Sequence, residues 1–185
     1  MEIRVIVDAE DVINDEGKDA PWRFGYKYDV NYTPSNSGNW TTLPNGDKVW
    51  QLAIECTDAM TVNLLFDDYD LPNGAYLYLY DVNKTNRVGA YTARNNRTDG
   101  ELGTELVHGD KIIVEYVEPA NVAGQGNFTI TNVIHGYRSL DHIQKNLAKA
   151  LNSSGDCNVD VNCPLGDAWG DQIRSVAMIV VGGSG

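Results

Sequence analysis

Basic side chains are scarce in this sequence. Against 26 Asp and Glu stand only 14 Lys and Arg in 185 residues, a net charge of −12. A surface of that sign repels phosphate backbones, so nucleic acid is excluded as a partner. Long apolar runs are lacking too. None approaches the ~18 residues that a spanning helix needs, which excludes an integral membrane protein. Cysteine occurs three times, an odd number that would leave one thiol unpaired in a secreted protein. The start has no secretory signal: Met1 leads into Glu2-Ile3-Arg4-Val5-Ile6-Val7-Asp8, without a basic opening, an apolar stretch or a small-residue cleavage site. Either a cytoplasmic protein or prior removal of a signal is expected.

Catalytic and ligand-binding patterns are equally sparse. His108 and His135 each precede a glycine, His142 falls in a helical pattern, and none has a second ligand at metal-binding spacing. The glycine-flanked serine, Ser184 in Gly182-Gly183-Ser184-Gly185, stands at the terminus, where nothing can hold it as a nucleophile. No phosphate-binding glycine loop follows a strand pattern. No cofactor is expected.

Glycine and tyrosine are what the chain does have, at 18 and 10 residues, with 42% hydrophobic residues to supply a core. Residues 1–22 read as an acidic, solvated arm, with Asp8, Glu10, Asp11, Asp15, Glu16 and Asp19 against few bases. From 23 to 138 the apolar period is two. Trp50, Leu52, Ile54 and Cys56 share a face, as do Val62, Leu64 and Phe66, then Ile112, Val114 and Tyr116, then Phe128, Ile130 and Ile134. In Ala75–Tyr80 the leucines take one face and Tyr76, Tyr78 and Tyr80 the other. Pro44–Asp47, Leu71–Gly74, Thr98–Gly100, His108–Asp110 and Gly124–Gly126 mark turns between these runs. The fold class expected is all-β: an antiparallel β-sandwich, jelly-roll-like, over residues 23–138.

The period then changes. Leu140, Ile143, Leu147 and Leu151 recur at helical spacing behind Ser139, so 139–156 reads as a helix and linker. Residues 157–185 differ again, with Cys157 and Cys163 close together and an apolar run over Ile173–Val181 that predicts a buried strand. A final strand without later partners would be left to pair elsewhere, and self-association through 173–181 is one expected outcome.

Two surface features carry candidate binding chemistry. Asp67, Asp68 and Asp70, with Asn73 beyond, place three carboxylates in what reads as a turn and could offer oxygen ligands to a hard cation such as Ca²⁺. The spacing is not that of an EF-hand, and a solvated acidic turn is the plainer interpretation. The tyrosine face of Tyr76, Tyr78 and Tyr80 could stack a sugar or form one side of a packed layer.

Ser154-Gly155-Asp156-Cys157-Asn158-Val159-Asp160-Val161-Asn162-Cys163-Pro164, with Gly166-Asp167 and Asp171–Ala177 after it, resembles the start of the mature domain of bacterial lysyl endopeptidases, secreted serine proteases of trypsin-like double-barrel fold. Arg23-Phe24-Gly25, Asn73-Gly74-Ala75, Gly89-Ala90-Tyr91-Thr92, Glu115–Pro119 and Val133–Arg138 resemble, in order, the pro-region that precedes such domains. The resemblance implies a zymogen's front end: a pro-domain at 23–138, a cleavable linker at 139–156 and a truncated protease start at 157–185. The family's catalytic strings, Thr-Ala-x-His-Cys and Gly-Asp-Ser-Gly-Gly, do not occur, so the fragment itself is expected to be inactive. The resemblance also implies a secreted or periplasmic location and the cognate protease domain as partner. It implies self-processing after Lys149, and disulfides from Cys157 and Cys163 to cysteines further downstream. The alternative is a secreted β-sandwich module that binds carbohydrate or a cell-surface polymer.

Overall fold

Alternating apolar and polar residues pair into sheets, because each strand can bury only one of its faces. The computed structural model describes residues 11–13, 22–138 and 164–175. The chain divides into two compact units, Gly25–Tyr137 and a second made of Met1–Phe24 with Arg138–Gly185. The first unit holds ten strands: β1 (Gly25–Tyr32), β2 (Asn39–Thr42), β3 (Lys48–Glu55), β4 (Thr61–Asp70), β5 (Tyr76–Asp81), β6 (Arg87–Thr92), β7 (Leu102–Gly103), β8 (Val107–His108), β9 (Lys111–Glu118) and β10 (Asn127–Gly136). One sheet runs β1-β10-β4-β7, with β8 also pairing β4; the other runs β2-β3-β9-β5-β6. Every pairing is antiparallel. The all-β sandwich expected from the alternation is the architecture found.

Side chains from both sheets fill the space between them. Trp50 and Tyr116 from the second sheet meet Phe128 from the first, with ring centroids 5.5 and 5.3 Å apart, and Phe66 approaches Phe128 at 5.8 Å. All these pairs are edge-on, the geometry that sets a ring's positive edge against a neighbour's negative face. Val62, Leu64, Leu77, Leu79, Ile112 and Val114 are wholly buried around them. One polar group is sealed in beside this cluster. Glu118 is 2% exposed, and its Oε1 accepts from the Tyr116 hydroxyl at 3.0 Å and from the Gly126 amide at 3.2 Å.

The expected turns join strands. Leu43 and Asp47 close the β2–β3 connection through a 2.8 Å backbone bond, with Gly46 at φ +88, a conformation that glycine adopts without strain. Segment 100–109 lies along the outer edge of β4. β7 pairs with Leu65 and Phe66, and β8 with Thr61 and Val62. Between them Thr104 both donates its amide to the Leu64 carbonyl and accepts the Leu64 amide on Oγ1, each at 3.0 Å.

Three sequence expectations are corrected. β10 does not keep strict alternation: a bulge between Ile130 and Asn132 shifts the register by one, so Val133 opposite Leu64 joins the inter-sheet cluster, while Ile134, wholly buried as expected, lies outside that cluster. Asp67, Asp68 and Asp70 are not a turn. They form the end of β4, bulged at Asp68 (φ +52), which turns Tyr69 inward beside Phe66. The strand expected over 173–181 begins as helix: α1 spans Gly170–Ser175 after a 3-10 turn at Pro164–Trp169. Asp171 in its first turn suits the helix dipole, and the Ser175 hydroxyl donates to the Asp171 carbonyl at 2.6 Å. Residues 176–181 lie outside those described.

In the second unit, residues 11–13 make a helical turn, and Asp11 is wholly buried rather than solvated. Its carboxylate lies 3.2 Å from Arg138 and 3.7 Å from Arg23, so two cations offset its loss of water. Among the described residues no helix is long and apolar enough to cross a membrane.

Candidate functional site

β5 sets its leucines into the core and therefore its tyrosines outward. Leu77 and Leu79 are fully buried, whereas Tyr76 and Tyr78 are half-buried on the opposite face. Register brings β9 alongside, with Tyr78 opposite Glu115, and β3 beyond it, with Gln51 opposite Glu115. Tyr80 donates its hydroxyl to Glu115 Oε2 at 2.8 Å, and Gln51 Nε2 donates to the same oxygen at 2.7 Å. From the other side come two cations, Lys84 of the β5–β6 connection and Arg87 at the start of β6. The Arg87 guanidinium lies 4.5 Å from the centroid of the Tyr78 ring, and Lys84 Nζ lies 5.2 Å from that of Tyr80. Tyr76, Tyr78, Tyr80, Lys84, Arg87 and Glu115 line a cleft of about 420 Å³.

The connection that carries Lys84 and leads into Arg87 is tied down by Asp81. Its carboxylate accepts the Asn86 amide at 2.6 Å, the Thr85 hydroxyl at 2.8 Å and the Asn83 amide at 3.2 Å. These bonds, the Asn86 amide foremost, hold its pKa below the ordinary carboxylate range. Gly89 lets the Tyr78 ring lie close: a Cβ there would come within 3.1 Å of Tyr78 Cδ1 and 2.7 Å of the Leu77 carbonyl.

Burial, and then the hydrogen bond and charge of Glu115, push the Tyr80 phenol up to about 12. The folded state thus holds this proton more tightly than the unfolded chain, whose value is 10.0. The stabilisation is complete below pH 10 and is lost as pH rises through about 12. Following the Tyr80 ring signals by NMR should give a midpoint near 12. Glu115→Gln should lower it without reaching the ordinary value, because burial persists. An unchanged midpoint in that variant would contradict the Tyr80–Glu115 bond.

No family model matches the chain, and no solved structure matches it. The site is therefore read from its own geometry. The acidic end of β4 does not gather its carboxylates. Asp67, Asp68 and Asp70 are all exposed, and Asp70 accepts from Asn96 Nδ2 at 2.6 Å. Among the described residues no three His, Cys, Asp or Glu side chains converge as metal ligands would. A second cleft, of about 480 Å³, is lined by Tyr28, Tyr32, Ile54, Cys56, Val133 and His135 among others. Cys56 is a free, half-buried thiol there, and burial followed by the charge of Asp110 pushes its pKa up. It is held in the unreactive thiol form rather than as a nucleophile.

Lys149, Cys157 and Cys163 lie outside the described residues. Sequence reading found the tyrosines of the cleft but not Gln51, Glu115, Lys84 or Arg87. The first two were legible only once strand register was known. The cations come from the loop that Asp81 ties down and from the first residue of β6 beyond it.

Proposed function

We propose that this chain is the pro-region of a secreted serine endopeptidase, joined to the opening residues of its protease domain. The observation that carries the reading is order. Motifs resembling such a pro-region run from Arg23 to Arg138, and the motif resembling a lysyl endopeptidase start, Ser154–Pro164, follows in the same chain. The compact unit Gly25–Tyr137 supports it, since a template for another domain must itself be built before that domain folds. The cognate protease domain is the partner, and the location is secreted or periplasmic.

The role needs no catalytic residue. A rigid sandwich packed against the protease stabilises the partner's folded state by binding it and not its unfolded chain. The same contact denies substrate access until the linker is cut. Lys149 supplies the cleavage point for a lysine-specific protease, and Cys157 and Cys163 pair with cysteines of the complete protease domain. In a precursor carrying that whole domain, Lys149→Gln should abolish self-processing, read as persistence of the uncut band. Processing at the wild-type rate would refute the assignment.

A further inference from the structure

We propose that the tyrosine cleft on the outer face of the second sheet binds a carboxylate-bearing saccharide, a hexuronate unit of an acidic glycan. The site is separate from the pro-region reading and stands or falls independently of it.

Among the described residues, ion pairs are formed by Arg23, Arg97, Lys111 and Arg138 and by neither Lys84 nor Arg87. Both are exposed, both rest on tyrosine rings, and both line one cleft. In a chain of net charge −12, carboxylates are plentiful, yet among the described residues none is in ion-pair contact with either cation. A guanidinium lying over a ring keeps its edge N–H groups available, and their fork matches a carboxylate in bidentate fashion. The cleft thus offers a local anion site on an acidic protein.

The remaining groups select the kind of anion. Tyr76 and Tyr78 are half-buried, with rings edge-on at 5.5 Å, and so leave part of each ring open to stack an apolar sugar face. Glu115 is fixed through one oxygen by Gln51 and Tyr80. Its other oxygen accepts from no described donor and suits a sugar hydroxyl. An anion site, an aromatic platform and a carboxylate acceptor within about 420 Å³ fit a ring that bears both a carboxylate and hydroxyls. An acidic peptide would use the cations but has neither ring hydroxyls to offer Glu115 nor a flat apolar sugar face to lay on Tyr76 and Tyr78.

Calorimetric titration of the 185-residue chain with tri-galacturonate should show binding that weakens as salt is added, and maltotriose, lacking carboxylates, should bind at least about tenfold more weakly. Arg87→Gln, a change at an exposed side chain, should weaken tri-galacturonate about tenfold. Tyr78→Phe should retain binding and Tyr78→Ala should lose it, with circular dichroism checking that each variant is folded. Absence of tri-galacturonate binding would overturn the proposal, as would binding unaffected by Arg87→Gln in a folded variant. Equal or tighter binding of hexaglutamate would also overturn it, by making the cleft a peptide site.

Discussion

Trp50→Ala should cost about 3–5 kcal/mol of folding stability, the range for removing a buried tryptophan. The side chain is wholly buried. It meets Phe128 across the two sheets, and its Nε1 donates to the Ser37 carbonyl at 2.7 Å. Truncation would leave a cavity at the sheet interface and also deprive Ser37 of its donor. Domain stabilities run to about 5–15 kcal/mol, so a large share would vanish. Urea denaturation of wild type and variant would measure it. Leu43→Ala, at a 38% exposed position, is the control and should change stability by less than about 0.5 kcal/mol. A comparable loss in both variants would show that Trp50 is not the joint between the layers.

Gly126→Ala should destabilise by about 1–3 kcal/mol through overpacking. A Cβ at this position would overlap the Tyr116 hydroxyl and come within 2.8 Å of its Cζ. Tyr116 cannot swing away, since its ring packs on Phe128 and Trp40 and its hydroxyl is held by buried Glu118. Tyr116→Phe removes the atom that collides but leaves the Glu118 carboxylate without one donor, which is itself costly. In the double variant the steric part is relieved, so the combined loss should be about 1 kcal/mol less than the sum of the singles. Simple additivity would mean that the backbone at Gly126 moves instead. Burial, and then the charge and hydrogen bond of Glu118, also push the Tyr116 phenol well above its ordinary range, so its hydroxyl keeps its proton and remains a donor.

The sandwich was legible because most long strands alternate over much of their length and most turns carry glycine, proline or asparagine. Trp50, Val62, Leu64, Ile112 and Val114 all face inward as their parity requires. What defeated parity was the bulge, which adds one residue and reverses every later side chain. That is why Val133 joins the inter-sheet cluster while Ile134, buried as expected, does not, and a second bulge, at Asp68 of β4, is why the Asp67–Asp70 run reads as a turn rather than a strand end. β7 and β8 have two residues each, too few for any period to show. The helical turn at 11–13 escaped for another reason: an acidic stretch looks solvated until arginines distant in sequence, Arg23 and Arg138, are brought to Asp11. The cleft was half legible, its tyrosines by alternation and its charged rim only through register.

The segment from Gly100 to Gly109 has a consequence for how molecules of this protein behave toward one another. Val62-Asn63-Leu64-Leu65-Phe66 is the kind of apolar, uncharged stretch that seeds cross-β stacking when its backbone is open. Here that backbone is occupied along its outer side by β8, by Thr104 and by β7 in turn. The sheet's other border, β1, is bent by an irregularity between Asp29 and Tyr32 and carries exposed Lys27 and Asp29, which discourage edge-to-edge pairing. A proteolytic nick near Glu105 would peel this guard from β4, and the cut protein should form thioflavin-positive aggregates at concentrations where the intact chain stays dispersed.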